Sequence, residues 1–323
     1  MTIHSGLCTF GPVQSDRSTT AISVRGLKKS YGHFEALRGI SLEIRQGEIF
    51  ALLGPNGAGK TTFVEILEGF RRRDAGDVSV LGIDPSHQPM ALKTRIGIVL
   101  QSSGMDRYLN VAETVEMYSS YYPQPRPVDE ILALVGLVTK RGERVLRLSG
   151  GQQRRLDVAI ALAGNPELLF LDEPTTGFDP SARREVWEVI KNLRGLGKTV
   201  VLTTHFMDEA QYLADRLAVI ANGSIVAEGD PETLAGRDRM VATVRFSLPE
   251  GVAPPASLDL SPRAGSAYEL RTTAVTRDVH DLTAWALDAG VELADLRVDR
   301  PTLEDVYLEL TADISTSETK AQE

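Results

Sequence analysis

The sequence predicts an α/β fold built on a largely parallel central sheet, and three observations carry that expectation. Continuous apolar runs at Glu48 to Leu53, Leu168 to Leu171 and Thr199 to Thr204 read as strands buried on both faces. Segments with helical spacing alternate with these runs, the order that builds a parallel sheet through helical crossovers. A glycine-rich loop, Gly54 to Thr61, stands between one such strand and a following helix.

In chain order, residues up to about Thr20 are polar and patternless and read as a disordered tail. Ile22 to Tyr31 and Glu35 to Ile44 alternate apolar and polar residues, as two antiparallel strands do. The strand at Glu48 to Leu53 leads through the glycine loop into a helix at Thr61 to Phe70, and Arg95 to Gln101 is a further buried strand. Helices follow at Val111 to Tyr122 and Val128 to Val135, separated by Pro123, Pro125 and Pro127. Ser149 opens a helix that Gly164, Asn165 and Pro166 end near Ala163. A helix at Ser181 to Leu196 joins the strands at Leu168 and Thr199, and Asn222-Gly223 turns a hairpin between Leu217 to Ala221 and Ser224 to Glu228.

Composition shifts near Gly236. Beyond it come strands at Ala242 to Ser247, Tyr268 to Thr272 and Leu293 to Val298, and helices at Asp278 to Ala289 and Thr302 to Leu310. These suggest a small α+β appendage. The expected division is a tail over 1–20, a nucleotide-binding domain over 21–236, an accessory domain over 237–312 and a tail over 313–323.

The 323 residues carry a formal net charge of -9 and an apolar fraction of 42%, which argue for a globular domain and against a nucleic-acid partner. The single Cys8 has no partner for an internal disulfide, and a reducing cytoplasm is its natural setting. No apolar run approaches the ~20 residues that span a bilayer, so a role in transport requires another chain to supply the path.

Three motifs carry chemistry. Gly54-Pro55-Asn56-Gly57-Ala58-Gly59-Lys60-Thr61 allows backbone N–H groups to wrap a phosphate, Lys60 to reach the outer phosphates, and the Thr61 hydroxyl to meet Mg²⁺. Taken alone, the pattern also suits a glycine-rich turn. Leu168 to Leu171 delivers Asp172 and Glu173 at a strand end, where α/β sheets bind ligands. One carboxylate suits a metal and the other a water, although solvated acids also end strands. Leu148-Ser149-Gly150-Gly151-Gln152 combines a helix cap with two glycines that admit an anion, a second phosphate-binding helix start beside the first.

With these motifs in this order the chain resembles the nucleotide-binding subunits of ATP-binding-cassette (ABC) transporters. Leu148 to Gln152 is that family's LSGGQ signature unchanged, Gly54 to Thr62 matches its phosphate loop, and the likeness covers about residues 22 to 235. The resemblance implies a P-loop NTPase of ABC type: a mixed central sheet, an antiparallel β subdomain, a helical subdomain and a small α+β C-terminal domain. It implies ATP and Mg²⁺ as ligands, bound by Gly54 to Thr62, by Tyr31 stacked on adenine, and by Ser149, Gly150, Gly151 and Gln152 of a second copy. Tyr31 also suits an ordinary strand aromatic. Thr61, Gln101 and Asp172 correspond to the family's metal-linked residues. Glu173 corresponds to the general base, with Lys60, Gln101 and His205 completing the catalytic set. Phe178, in Gly177-Phe178-Asp179-Pro180, replaces the family's usual leucine and stands where packing across the dimer is expected.

The partners implied are a second ATPase subunit, forming a homodimer, and an integral membrane permease met by residues 102–117. The place implied is the cytoplasmic face of the membrane. The C-terminal segment Pro301 to Leu308 resembles that of drug-export ATPases, where a similar segment supports assembly; a plain amphipathic helix, with Leu303, Val306, Tyr307 and Leu310 on one face, is the alternative. An importer subunit, a soluble cassette protein of DNA repair or translation, and a regulatory ATPase remain rival readings.

Overall fold

The computed structural model describes residues 20–87, 89–100, 104–239, 241–249, 251–255, 258–263 and 265–308. The expected tails therefore lie outside the described residues, except that Thr20 already belongs to the first strand.

The chain opens with β1 (Thr20–Tyr31), β2 (Phe34–Arg45), β3 (Ile49–Leu53), α1 (Lys60–Leu67), β4 (Ala75–Val80), α2 (Pro89–Lys93) and β5 (Ile96–Val99). The helices α3 (Val111–Ser119), α4 (Val128–Leu134) and α5 (Gly150–Leu162) precede β6 (Leu168–Asp172), α6 (Pro180–Gly195), β7 (Thr199–Thr204), α7 (Met207–Leu213), β8 (Arg216–Ala221) and β9 (Ser224–Gly229). After these come β10 (Ala242–Ser247), β11 (Leu260–Pro262), β12 (Ala267–Thr272), α8 (Val275–Asp288) and β13 (Ala294–Asp299).

The central sheet has the order β5-β6-β7-β3-β8-β9; its first five strands are parallel and β9 is an antiparallel hairpin partner at the edge. The Asn222-Gly223 turn takes positive φ at both residues, 48° and 76°, as the two-residue hairpin requires. Every residue of β3 and β7 is buried, which is why these strands read as unbroken apolar runs. Their side chains still alternate. Ile49, Ala51, Leu53, Leu169, Leu171, Val200 and Leu202 pack in one core with the helices α3 to α7. Phe50, Leu52, Leu168, Phe170 and Val201 pack in a second core with α1 and the antiparallel sheet β2-β1-β4. The fold is thus the mixed central sheet with antiparallel and helical subdomains that the resemblance implied.

A third sheet, β11-β12-β10-β13, is antiparallel throughout and packs Val244, Phe246, Leu248 and Leu270 against Leu282 of α8. Four short elements were not expected from the sequence. β4, with one glycine and two polar residues among six, owes its form to pairing with β1; α2, α7 and β11 are too short for a periodicity to register. The helix at residues 303–308 buries Leu303 and Val306 in the core of the central sheet's helical layer, although the sequence places it in the appendage. Among the described residues no helix is long and apolar enough to cross a membrane.

Candidate active site

Three strand ends assemble the site. β3, β6 and β7 are parallel and in register, pairing Leu53 with Thr204 and Asp172 with Thr203, so the glycine loop, the two acids and His205 leave the sheet at one edge. Since Leu171 faces the helical layer, alternation turns Asp172 toward α1.

The loop needs its glycines for lack of space. A Cβ on Gly54 would stand 2.4 Å from the Ile220 carbonyl oxygen, and one on Gly59, at a φ of 106°, would stand 2.6 Å from that of Ala36. No side chain caps the first turn of α1, so its N–H groups remain available to an anion. Lys60 is buried and donates from Nζ to the carbonyls of Gly54 (2.8 Å) and Pro55 (3.1 Å). Burial lowers its pKa, and the carboxylates of Glu173 and Asp172 oppose that shift. Ala58 is buried, its N–H bonded to the Pro55 carbonyl.

Glu173 is the centre of the arrangement. Its Oε1 lies 3.6 Å from Lys60 Nζ and 3.3 Å from His205 Nδ1, and its Oε2 accepts a hydrogen bond from the Thr176 hydroxyl at 3.1 Å. Among the described residues His205 Nδ1 makes no hydrogen bond of good geometry, and Glu173 is the carboxylate it faces. Burial raises the Glu173 pKa, but the Thr176 hydrogen bond and the pull of His205 and Lys60 together outweigh it and hold the carboxyl below its usual range. The backbone at Glu173 has a φ of 44°, a conformation that costs about 1 kcal/mol or more in a non-glycine residue. Its N–H offsets this with bonds to the Thr203 hydroxyl (3.0 Å) and carbonyl (3.2 Å).

Lys60 and Glu173 face a cavity of about 400 Å³, whose lining does not include His205. Asn56, Gly57, Gly59 to Thr62, Asp172 and Glu173 line it, together with the rings of Tyr31 and Phe34, both exposed. Lys29 and Arg71 flank the Tyr31 ring, 5.5 and 5.3 Å from its centroid. The Thr61 hydroxyl and the Asp172 carboxylate are hard oxygen donors on one cavity, a set that fits Mg²⁺ with its remaining positions left to water and phosphate.

The signature lies elsewhere. Ser149 caps α5 in a capping box, its hydroxyl accepting the Gln152 N–H at 3.3 Å while Gln152 Oε1 accepts the Ser149 N–H at 3.0 Å. Neither Ser149, Gly150, Gly151 nor Gln152 lines the cavity of its own chain. Phe178 packs within this chain, its ring 3.6 Å from where a Cβ on Gly150 would be. Gln101 falls outside the described residues.

Sequence reasoning missed three participants. Phe34 falls between the two expected strands, and Thr176 carries no motif of its own. Thr203 is one polar residue in an apolar strand, yet its hydroxyl also donates to Asp172 Oδ1 at 2.5 Å and so joins the two acids. Its place inside the run Val200 to Thr204, directly before His205, was the available signal.

Residues 37–176 match the ABC transporter family, and residues 242–302 match the ABC transporter domain-containing protein-like C-terminal domain. Daunorubicin resistance ATP-binding protein DrrA3 of Streptomyces coeruleorubidus is 37% identical over 309 residues, covering 91% of this chain and 96% of that protein. The chain belongs to the ABC transporter ATP-binding family. Nod factor export ATP-binding protein I of Ralstonia nicotianae is 42% identical over 223 residues, or 67% of this chain and 69% of that one. Among solved structures, an ABC transporter cassette in its ADP conformation superposes with a TM-score of 0.61 at 25% identity, covering 67% of this chain and 92% of that chain. A dimeric cassette in a post-hydrolysis state, bound to ADP and Pi, gives 0.58 at 27%, covering 65% and 98%. As a member of this family the chain binds ATP and is the ATPase subunit of an ABC transporter.

Proposed function

We propose that this ATPase drives export of a small hydrophobic compound, a drug or antibiotic, through a separate integral membrane permease at the cytoplasmic face of the membrane. The names of the relatives, daunorubicin resistance and Nod factor export, support that direction and give no support to import, DNA repair or translation. Tyr108, three-quarters exposed, and the exposed Leu100 and Met117 supply apolar surface for permease contact around residues 102–117. The cassette occupies residues 21–236 and the accessory domain 237–312.

The observation that carries the mechanism is Glu173 held 3.6 Å from Lys60 on the cavity of the glycine loop, with the signature outside that cavity. Two copies meet head to tail, each ATP lying between one copy's Gly54 to Thr62 and the other's Ser149 to Gln152. Tyr31 stacks on the adenine, and Thr61, Asp172 and Gln101 would hold Mg²⁺, which would neutralise phosphate charge. Glu173, ionised at neutral pH, takes a proton from water as its oxygen bonds to the γ-phosphorus. The bond from that phosphorus to the bridging oxygen breaks, leaving ADP and inorganic phosphate. Lys60 stabilises the charge on the phosphate oxygens and His205 orients toward the γ-phosphate.

The test is Glu173→Gln. It should keep ATP binding, lose about 100-fold or more in turnover, and accumulate as an ATP-bound dimer. Undiminished turnover would remove Glu173 as the base.

A further inference from the structure

Arg154 lies on α5, five residues beyond Ser149, and is 5% exposed. A guanidinium so deeply placed needs hydrogen-bond partners for its donors, and all of those observed are main-chain carbonyls. Nε donates to Pro174 at 2.9 Å, Nη1 donates to Leu100, and Nη2 donates to Asp172 at 2.9 Å and Glu173 at 3.4 Å. Asp157, one turn along α5, lies 3.6 Å from Nη1 and balances the charge. One planar side chain thus joins three segments: the helix that begins at the signature, the chain at Leu100 just past β5, and the turn carrying Asp172 and Glu173. Sequential donors on a rigid fork suit this task, and a lysine ammonium on a flexible stem does not reproduce it.

We propose that Arg154 is a positioning residue for the hydrolysis step, fixing the strained backbone of Glu173 to the signature helix and to the strand end at Leu100. This rests on the assignment of Glu173 as the base. Displacement of either segment, by a second cassette gripping the signature or by a partner pressing on the exposed Leu100, then reaches the carboxylate through a single guanidinium. The side chain has no contact with the nucleotide cavity, so its loss alters the placement of Glu173 and leaves the phosphate loop as it is.

The experiment compares Arg154→Met and Arg154→Lys in the full chain by steady-state ATPase kinetics, binding of a fluorescent ATP analogue, and thermal melting. Arg154→Met should lower kcat about tenfold or more, with KM and analogue affinity within about twofold of the parent. Arg154→Lys should be folded and recover only part of kcat at the same KM. Placed on Glu173→Gln, the Arg154→Met change should leave the ATP-dependent dimer intact. Parent-like kcat in either folded variant, or a fall in kcat matched by a loss of analogue affinity, would overturn the proposal. Loss of folding in both variants would also overturn it, because Arg154 would then serve stability alone. Glu173→Gln measured in parallel separates the two ideas: retained turnover there contradicts the base assignment, whatever Arg154 does.

Discussion

The central sheet and the appended sheet are built by opposite rules. The central strands are covered on both faces, every residue of β3 and β7 being buried, and their parallel register leaves no freedom in where the strand ends lie. The appended sheet is covered on one face by α8; β13 is exposed along its whole length, and Arg245 pairs with the buried Glu269 and with the exposed Asp299. A hollow of about 1060 Å³ opens beside these residues, larger than the nucleotide cavity, yet its charged residues Arg245, Arg271 and Arg300 stand among Glu269, Asp299 and Asp305, and it contains no residue of the glycine loop, the acidic strand end or the Ser149 turn. Size does not locate the chemistry here; strand ends in fixed register do.

The contrast should appear first as stability. Phe170, fully buried beside α1, should cost about 3–5 kcal/mol on change to alanine and lower the melting of the cassette with its ATP binding. Phe246→Ala, in the small core under α8, should loosen the appended sheet in hydrogen exchange while ATP binding persists. Equal loss of ATP binding in both would show that the two sheets melt as one, a coupling for which the burial of Leu303 and Val306 in the cassette core is the available route.

A smaller effect separates buried charge from surface charge. Burial of Glu68 at the end of α1, with Asp172 and Glu65 nearby, pushes its carboxyl up to about 8. A folded-state pKa above the unfolded 4.5 favours the neutral acid in the native chain. That contribution is complete below pH 4.5 and is lost as pH rises toward 8. Glu68→Gln should therefore gain most relative to the parent at pH 8.5 and little at pH 5, read from denaturant midpoints. A gain independent of pH would assign the effect to packing.

The motifs were legible because their chemistry restricts residue type: only glycine fits at 54 and 59, and an apolar strand before Asp172-Glu173 announces its own end. The expected strands and helices fall within a few residues of the observed ones wherever burial is two-sided or a cap is present, as at Ser149 and at Asp179, which caps α6. What stayed hidden depends on tertiary contact. β4 exists by pairing with β1, Thr203 joins two acids that only register brings beside it, and Arg154 looks like a solvated helix residue. The buried stripe Arg154, Val158, Ala161 does extend the apolar face of α5 back by one turn, and that spacing was the trace it left in the sequence.

On the proposed mechanism, the cavity holding Lys60 is completed by the Ser149 turn of another copy. Lys60→Ala and Ser149→Arg should each abolish turnover as pure homodimers. Mixing the two proteins creates one site with both residues intact, so ATPase activity should return, in proportion to the fraction of mixed dimers. If the mixture stays as inactive as its components while mixed dimers form, Lys60 and Ser149 do not serve one site from two chains.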